Sequence, residues 1–144
     1  MEELLELRQH ITQKRYTEAL ELIAELEEMS REDKINKIYS YAVILLLHLI
    51  KQSAEQRTTR SWELSIRETT RQIARTNTRQ KAGGVYLDTA GLQDVLADAY
   101  LSALERAALE AFEGRYEEDE LAAKVNQEQV ERHALELILT QQER

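Results

Sequence analysis

Tyr39–Lys51 reads YSYAVILLLHLIK, the most apolar run in a sequence of which 32% is charged. Wound at about 100° per residue, Ile35, Ile38, Tyr39, Ala42, Leu46, Leu49 and Ile50 fall on one face of a helix. Tyr41, Ile44, Leu47 and His48 occupy the opposite side of the same turns, so the middle of this helix has no polar face to offer water. It is expected to be enclosed. The run ends at Lys51 and includes a histidine, well short of the roughly 20 apolar residues a bilayer crossing requires. A buried core helix is therefore predicted, and no membrane span.

Outward from this stretch, the chain of 144 residues has no cysteine, no proline and four glycines. Its length suits one domain over residues 1–144 with a single core. Abundant Leu, Ala, Glu, Gln and Arg favour helix throughout. The predicted fold is an all-α bundle of five to six helices around a buried central helix at about 31–56. Without cysteine there is no disulfide or thiolate metal site, and Met1 to Ile11 shows no export signal, so a cytoplasmic location is expected.

The net charge of -8 opposes non-specific binding to nucleic acid or anionic membrane, but it is unevenly spread. Lys51 to Lys81 holds eight basic and three acidic residues, a net +5, while the remainder carries eleven basic and twenty-four acidic residues, a net -13. The chain is a basic arm in an acidic body.

A first helix is predicted over Glu2 to Thr12, with Leu4, Leu7 and Ile11 in register. Thr17 is a candidate N-cap for a second, whose Ala19, Leu22, Ile23, Leu26 and Met29 form an inward stripe and whose Glu25, Glu27 and Glu28 read as a solvated face. Ser30 with Asp33 resembles a capping box that begins the central helix near Arg31 and sets it off from the second by a break or a kink. After a polar connection at Arg57 to Arg60, Ser61 is a candidate N-cap for a fourth helix with Trp62, Ile66, Thr69, Thr70 and Ile73 inward. Asn77 to Leu87 reads as a loop. Asp88 or Thr89 caps an alanine-rich fifth helix that runs to about Phe112 and packs closely on the central one, with Gly114 as its stop. Glu117 to Lys124 forms a short acidic helix. Asn126 with Gln129 then starts a last helix through about Gln141.

Arg67, Arg71, Arg75 and Arg79 recur every four residues along the fourth helix, and Arg60 joins them if the register extends back. Arginine forks fit phosphate and carboxylate oxygens alike. These five and Lys81 are the candidate interaction surface; the alternative is pairing with carboxylates on the neighbouring second or fifth helix. The glycines lack phosphate-loop spacing. His10, His48 and His133 stand in no metal-ligand spacing, and no Ser-His-Asp arrangement appears. No enzyme, metal or cofactor is predicted, and His48 reads as a core residue whose ring nitrogens bond a carbonyl or hydroxyl.

Three blocks carry a resemblance: Glu25-Leu26-Glu27-Glu28-Met29-Ser30-Arg31, Leu45-Leu46-Leu47-His48-Leu49-Ile50-Lys51 and Ser61-Trp62-Glu63-Leu64-Ser65-Ile66-Arg67. In this order they resemble the bacterial family catalogued as domain of unknown function 29, small helical proteins abundant in photosynthetic bacteria. The likeness continues more weakly to about Phe112. The chain departs from many relatives in having Gln52 where they have tryptophan and in lacking a proline-containing tail. The resemblance implies an all-helical single domain and no activity. Its motif residues His48, Lys51, Ser61 and Trp62 describe an antiparallel hairpin in which the indole packs on the stem of Lys51 or on Leu47.

The function expected is that of a non-catalytic interaction module, self-associating or binding a protein partner through acidic helices or the arginine stripe. Nucleic-acid binding through the stripe is the alternative, opposed by the acidic body.

Overall fold

The computed structural model describes residues 2–79 and 82–144. Their secondary structure is helical: α1 (Glu2–Thr12), α2 (Tyr16–Glu55), α3 (Arg60–Asn77), α4 (Thr89–Glu110), α5 (Glu118–Ala122) and α6 (Gln127–Gln142), with a 3-10 turn at Ala111–Gly114. This is the all-α bundle expected. Contacts divide it into two compact units, Met1–Lys34 and Ile35–Arg144.

In the first unit the helical path is interrupted at Lys14, which takes a left-handed φ of 59°, while Arg15 N–H donates to the His10 carbonyl at 2.7 Å and closes the end of α1. Among its described residues only Ala19 and Leu22 are buried. Leu7, Ile23 and Leu26 are half-buried, as their spacing predicts, but Leu4, Ile11 and Met29 are exposed.

The predicted break at Ser30 is absent: α2 is one helix from Tyr16 to Glu55, and Thr17 lies inside it rather than capping it. Residues Met29 to Asn36 contain neither glycine nor proline, and interior Ser and Asp cost only about 0.5 kcal/mol each against Ala, too little to end a helix with good formers on both sides.

The second unit is built on the apolar half of α2. Ile38, Ala42, Leu45, Leu46, Leu49 and Ile50 are 3% exposed or less. The opposite side is less enclosed than predicted: Leu47 is buried, whereas Tyr41, Ile44 and His48 are half-buried. α4 lies alongside α2 and runs the same way. The Tyr39 and Ser102 hydroxyls meet at 3.3 Å near one end and Lys51 Nζ donates to Glu110 Oε1 at 3.3 Å near the other. Ala99, Ala103 and Ala107 are fully buried, which is what the alanine-rich stretch is for.

Gln56, with φ 53°, ends α2, and Thr59 rather than Ser61 caps α3 by accepting from the Trp62 N–H at 3.1 Å. Trp62, Thr69, Thr70 and Ile73 are buried and Ile66 half-buried, as predicted. The two threonines stay inside because their hydroxyls donate to the Ser65 and Ile66 carbonyls of their own helix.

Asn77, fully buried, is a polar anchor that composition and periodicity give no sign of. Its side-chain carbonyl accepts from Leu87 N–H at 2.8 Å, while its amide donates to the Leu87 carbonyl and to Gln142 Oε1. It pins the loop after α3, where Thr78 and Val85 form one antiparallel bridge and Gly83 and Gly84 turn with φ 78° and 73°. It also draws the end of α6 to the end of α3. The remaining signals act as read: Asp88 caps α4, Gly114 follows its end with φ 76°, and Asn126 caps α6 through Gln129 N–H.

Candidate interaction surface

The motif residues meet where α2 hands over to α3. Trp62 is 8% exposed, with Lys51 Nζ and the Arg57 guanidinium each 4.7 Å from its ring centroid. The indole thus packs on Lys51, as the antiparallel hairpin requires. Lys51 is itself buried, so its ammonium is held by the Trp62 face and by Glu110, which is half exposed. His48, one turn before Lys51, is pushed below the ordinary histidine range first by burial and then by the Lys51 charge, with Glu110 opposing. Its Nδ1 is buried without a hydrogen-bond partner in the protein, against the expectation that a carbonyl or hydroxyl would hold it. A hollow of about 280 Å³ beside Trp62 is lined by Glu55, Glu110, Glu113, Arg57 and Arg115, whose charges nearly cancel. This end of the bundle is a structural latch.

The arginines lie differently. Arg60 opens α3, so the register does extend back to it, and Arg60, Arg67, Arg71 and Arg75 share an arc of about 80° on its outer side. All four are exposed. Arg79 leaves the stripe: α3 stops at Asn77, and the Arg79 guanidinium lies 5.7 Å from the Tyr86 ring. Lys81 falls outside the described residues.

Pairing with carboxylates of neighbouring helices is not how these side chains are held. Arg71 meets Glu68 of its own helix at 3.4 Å, and among the described residues Arg60, Arg67 and Arg75 make no ion pair. Leu64, 53% exposed, stands within the same arc.

Beside the stripe runs a groove between α3 and α6. One part, of about 620 Å³, has Leu49, Ile66 and Leu137 among its lining, with Arg67 and Arg144 balanced by Glu63 and Glu136. It continues past Arg71 and Arg75 into a part of about 420 Å³ that shares Gln141 and Arg144. Sequence reading finds the arginines by their spacing but misses the groove, because its other wall is α6 and nothing local says that α6 lies beside α3.

Among the described residues, no group of three or more His, Asp or Glu is placed to hold a metal ion, and no helix is long and apolar enough to cross a membrane. A search of curated proteins and one of solved structures found no match. The family model described as "Domain of unknown function DUF29" matches residues 3–130, a span that takes in the latch, the arginine stripe and α4 but only the first turn of α6. The chain belongs to the DUF29 family.

Proposed function

We propose that the protein is a non-catalytic interaction module that docks an acidic protein helix along α3. The observation that supports this reading most is the row of exposed arginines, three of them without a carboxylate partner among the described residues. Long cationic side chains left unpaired on a rigid helix keep their forks free for an incoming carboxylate. The apolar side chains of the adjoining groove favour a protein partner, since a helix can bury a hydrophobic stripe there whereas a phosphate backbone gains nothing from it.

The test is fluorescence anisotropy with two probes, an acidic amphipathic helical peptide and a short DNA duplex, at roughly 50 and 200 mM salt. Peptide binding that weakens about tenfold or more in the combined variant Arg67→Glu, Arg71→Glu, Arg75→Glu, with no duplex binding at the higher salt, is the expected result. A duplex bound at both salts, with a steep salt slope, would instead make the stripe a nucleic-acid site. If neither probe binds, this face is not the contact surface.

A further inference from the structure

The first unit carries the counterpart of the arginine stripe. Along α2, Glu18, Glu21, Glu25, Glu28 and Glu32 recur at alternating spacings of three and four and share an arc of about 80° on the side away from buried Ala19 and Leu22. All five are exposed, and among the described residues none makes an ion pair. Residues 1–34 carry ten acidic and five basic side chains. Five like charges on one face repel one another, and nothing in the folding of this unit requires them.

The two stripes match in three respects. They have opposite sign. At 1.5 Å per residue, Glu18 to Glu32 spans about 21 Å and Arg60 to Arg75 about 22 Å. Each also has an exposed apolar side chain, Leu64 within the arginines and Met29 at the edge of the glutamates, 53% and 56% exposed.

We infer that the acidic helix docked by α3 is the Glu18–Glu32 face of α2 in a second copy of this chain. The inference rests on the function proposed above and names its partner. A single exposed ion pair is weak, so attraction on this scale depends on a ladder of pairs laid side by side, which in the antiparallel sense, Arg60 toward Glu32, brings Leu64 and Met29 together near one end. Every chain carries both faces, so two copies can pair reciprocally or copies can add head to tail. Two first units, both acidic, would not pair with each other.

The experiment is light scattering coupled to size exclusion on the full chain at roughly 100 µM and 50 mM salt, for wild type, for Arg67→Glu, Arg71→Glu, Arg75→Glu combined, for Glu21→Arg, Glu25→Arg, Glu28→Arg combined, and for an equimolar mixture of the two variants. All six positions are exposed, and far-UV circular dichroism checks that each variant is folded. Wild type is expected at twice the 16.8 kDa chain mass or more, each variant alone at the chain mass, and the mixture at the wild-type mass again, because each variant supplies the face that the other has reversed. Association should weaken about tenfold or more on raising the salt to roughly 500 mM. A wild type at the chain mass, an assembly that either variant leaves intact, or a mixture that stays monomeric overturns the inference. If the chain is monomeric yet the acidic peptide still binds through the arginines, the interaction module stands and only its partner is wrong.

Discussion

The two halves of α2 are one continuous helix and yet belong to different kinds of protein. Tyr16–Lys34 buries two side chains and turns a row of glutamates outward; Ile35–Glu55 buries most of its apolar residues in the core of the second unit. Helix propensity is similar along both, so propensity sets where the helix runs and hydrophobic pattern sets what it holds together. The comparison separates a scaffold, in which packing carries the stability, from a unit that buries two side chains and leaves most of its residues on the surface.

The largest test of that separation is core truncation. Leu46→Ala, at a fully buried site, and Trp62→Ala, at the latch, should each cost about 3–5 kcal/mol in urea unfolding. Leu22→Ala in the first unit should cost under about 2 kcal/mol, because its shallow surroundings can collapse into the space left. Equal losses at Leu22 and Leu46 would mean that both halves of α2 sit in one cooperative core. Amide hydrogen exchange read along α2 asks the same question without mutation: amides of residues 38–50 should be protected to near the global limit, and those of 17–28 should exchange through smaller openings.

Asn77→Ala comes next. It removes three hydrogen bonds and leaves the buried Leu87 N–H and carbonyl without this partner, for an expected loss of about 2–4 kcal/mol. If the cost is below about 0.5 kcal/mol, the loop finds another way to satisfy itself and the ends of α3 and α6 are not tied through this residue.

At the latch the effects are smaller and asymmetric. Glu110→Gln leaves the buried Lys51 ammonium without its carboxylate, whereas Lys51→Met removes the buried charge and leaves a half-exposed Glu110 that water can solvate. The first should therefore cost more, about 1–3 kcal/mol against about 1 kcal/mol or less. His48 adds a pH dependence of definite sign. Because its folded pKa is depressed, the unfolded chain takes up a proton below about pH 6.5 that the folded chain resists. The stability tied to neutral His48 is complete above that pH and is lost as the pH falls. Unfolding midpoints measured from about pH 7.5 to 5.5 should drop more steeply for wild type than for His48→Gln; parallel slopes would remove His48 from the account.

These residues also mark how far the sequence can be read. The core half of α2, the inward face of α3, the alanine face of α4 and the caps at Asp88 and Asn126 were all legible, because each is fixed by periodicity or by a side chain within three residues. The arginine stripe was legible as spacing. What the spacing did not contain was its state: whether Arg67 has a partner depends on which helix lies next to it, and the stripe ended at Arg75 because the chain left the helix at Asn77. The buried role of Asn77 and the groove against α6 depend on contacts between residues far apart in the chain, for which no local pattern exists. The error at Ser30 was of another kind, a local signal outweighed by its surroundings.

That error can be tested by the smallest effect of all. A serine that caps a helix stabilises it, and replacing it with alanine costs about 1 kcal/mol. A serine inside a helix does the opposite: its side chain competes for backbone hydrogen bonds, and alanine in its place gains up to about 0.5 kcal/mol. Ser30 is exposed and sits in the interior of α2, so Ser30→Ala should raise stability by a few tenths of a kcal/mol. Because Ser30 lies in the half of α2 that buries only Ala19 and Leu22, the gain should appear in the hydrogen exchange of residues 17–34 before it appears in global unfolding. A loss in its place would put a cap, and so a helix boundary, back at Ser30. The glutamates from Glu18 to Glu28 would then stand on a different helix from Glu32, and the straight acidic face that matches the arginines of α3 in length would no longer exist.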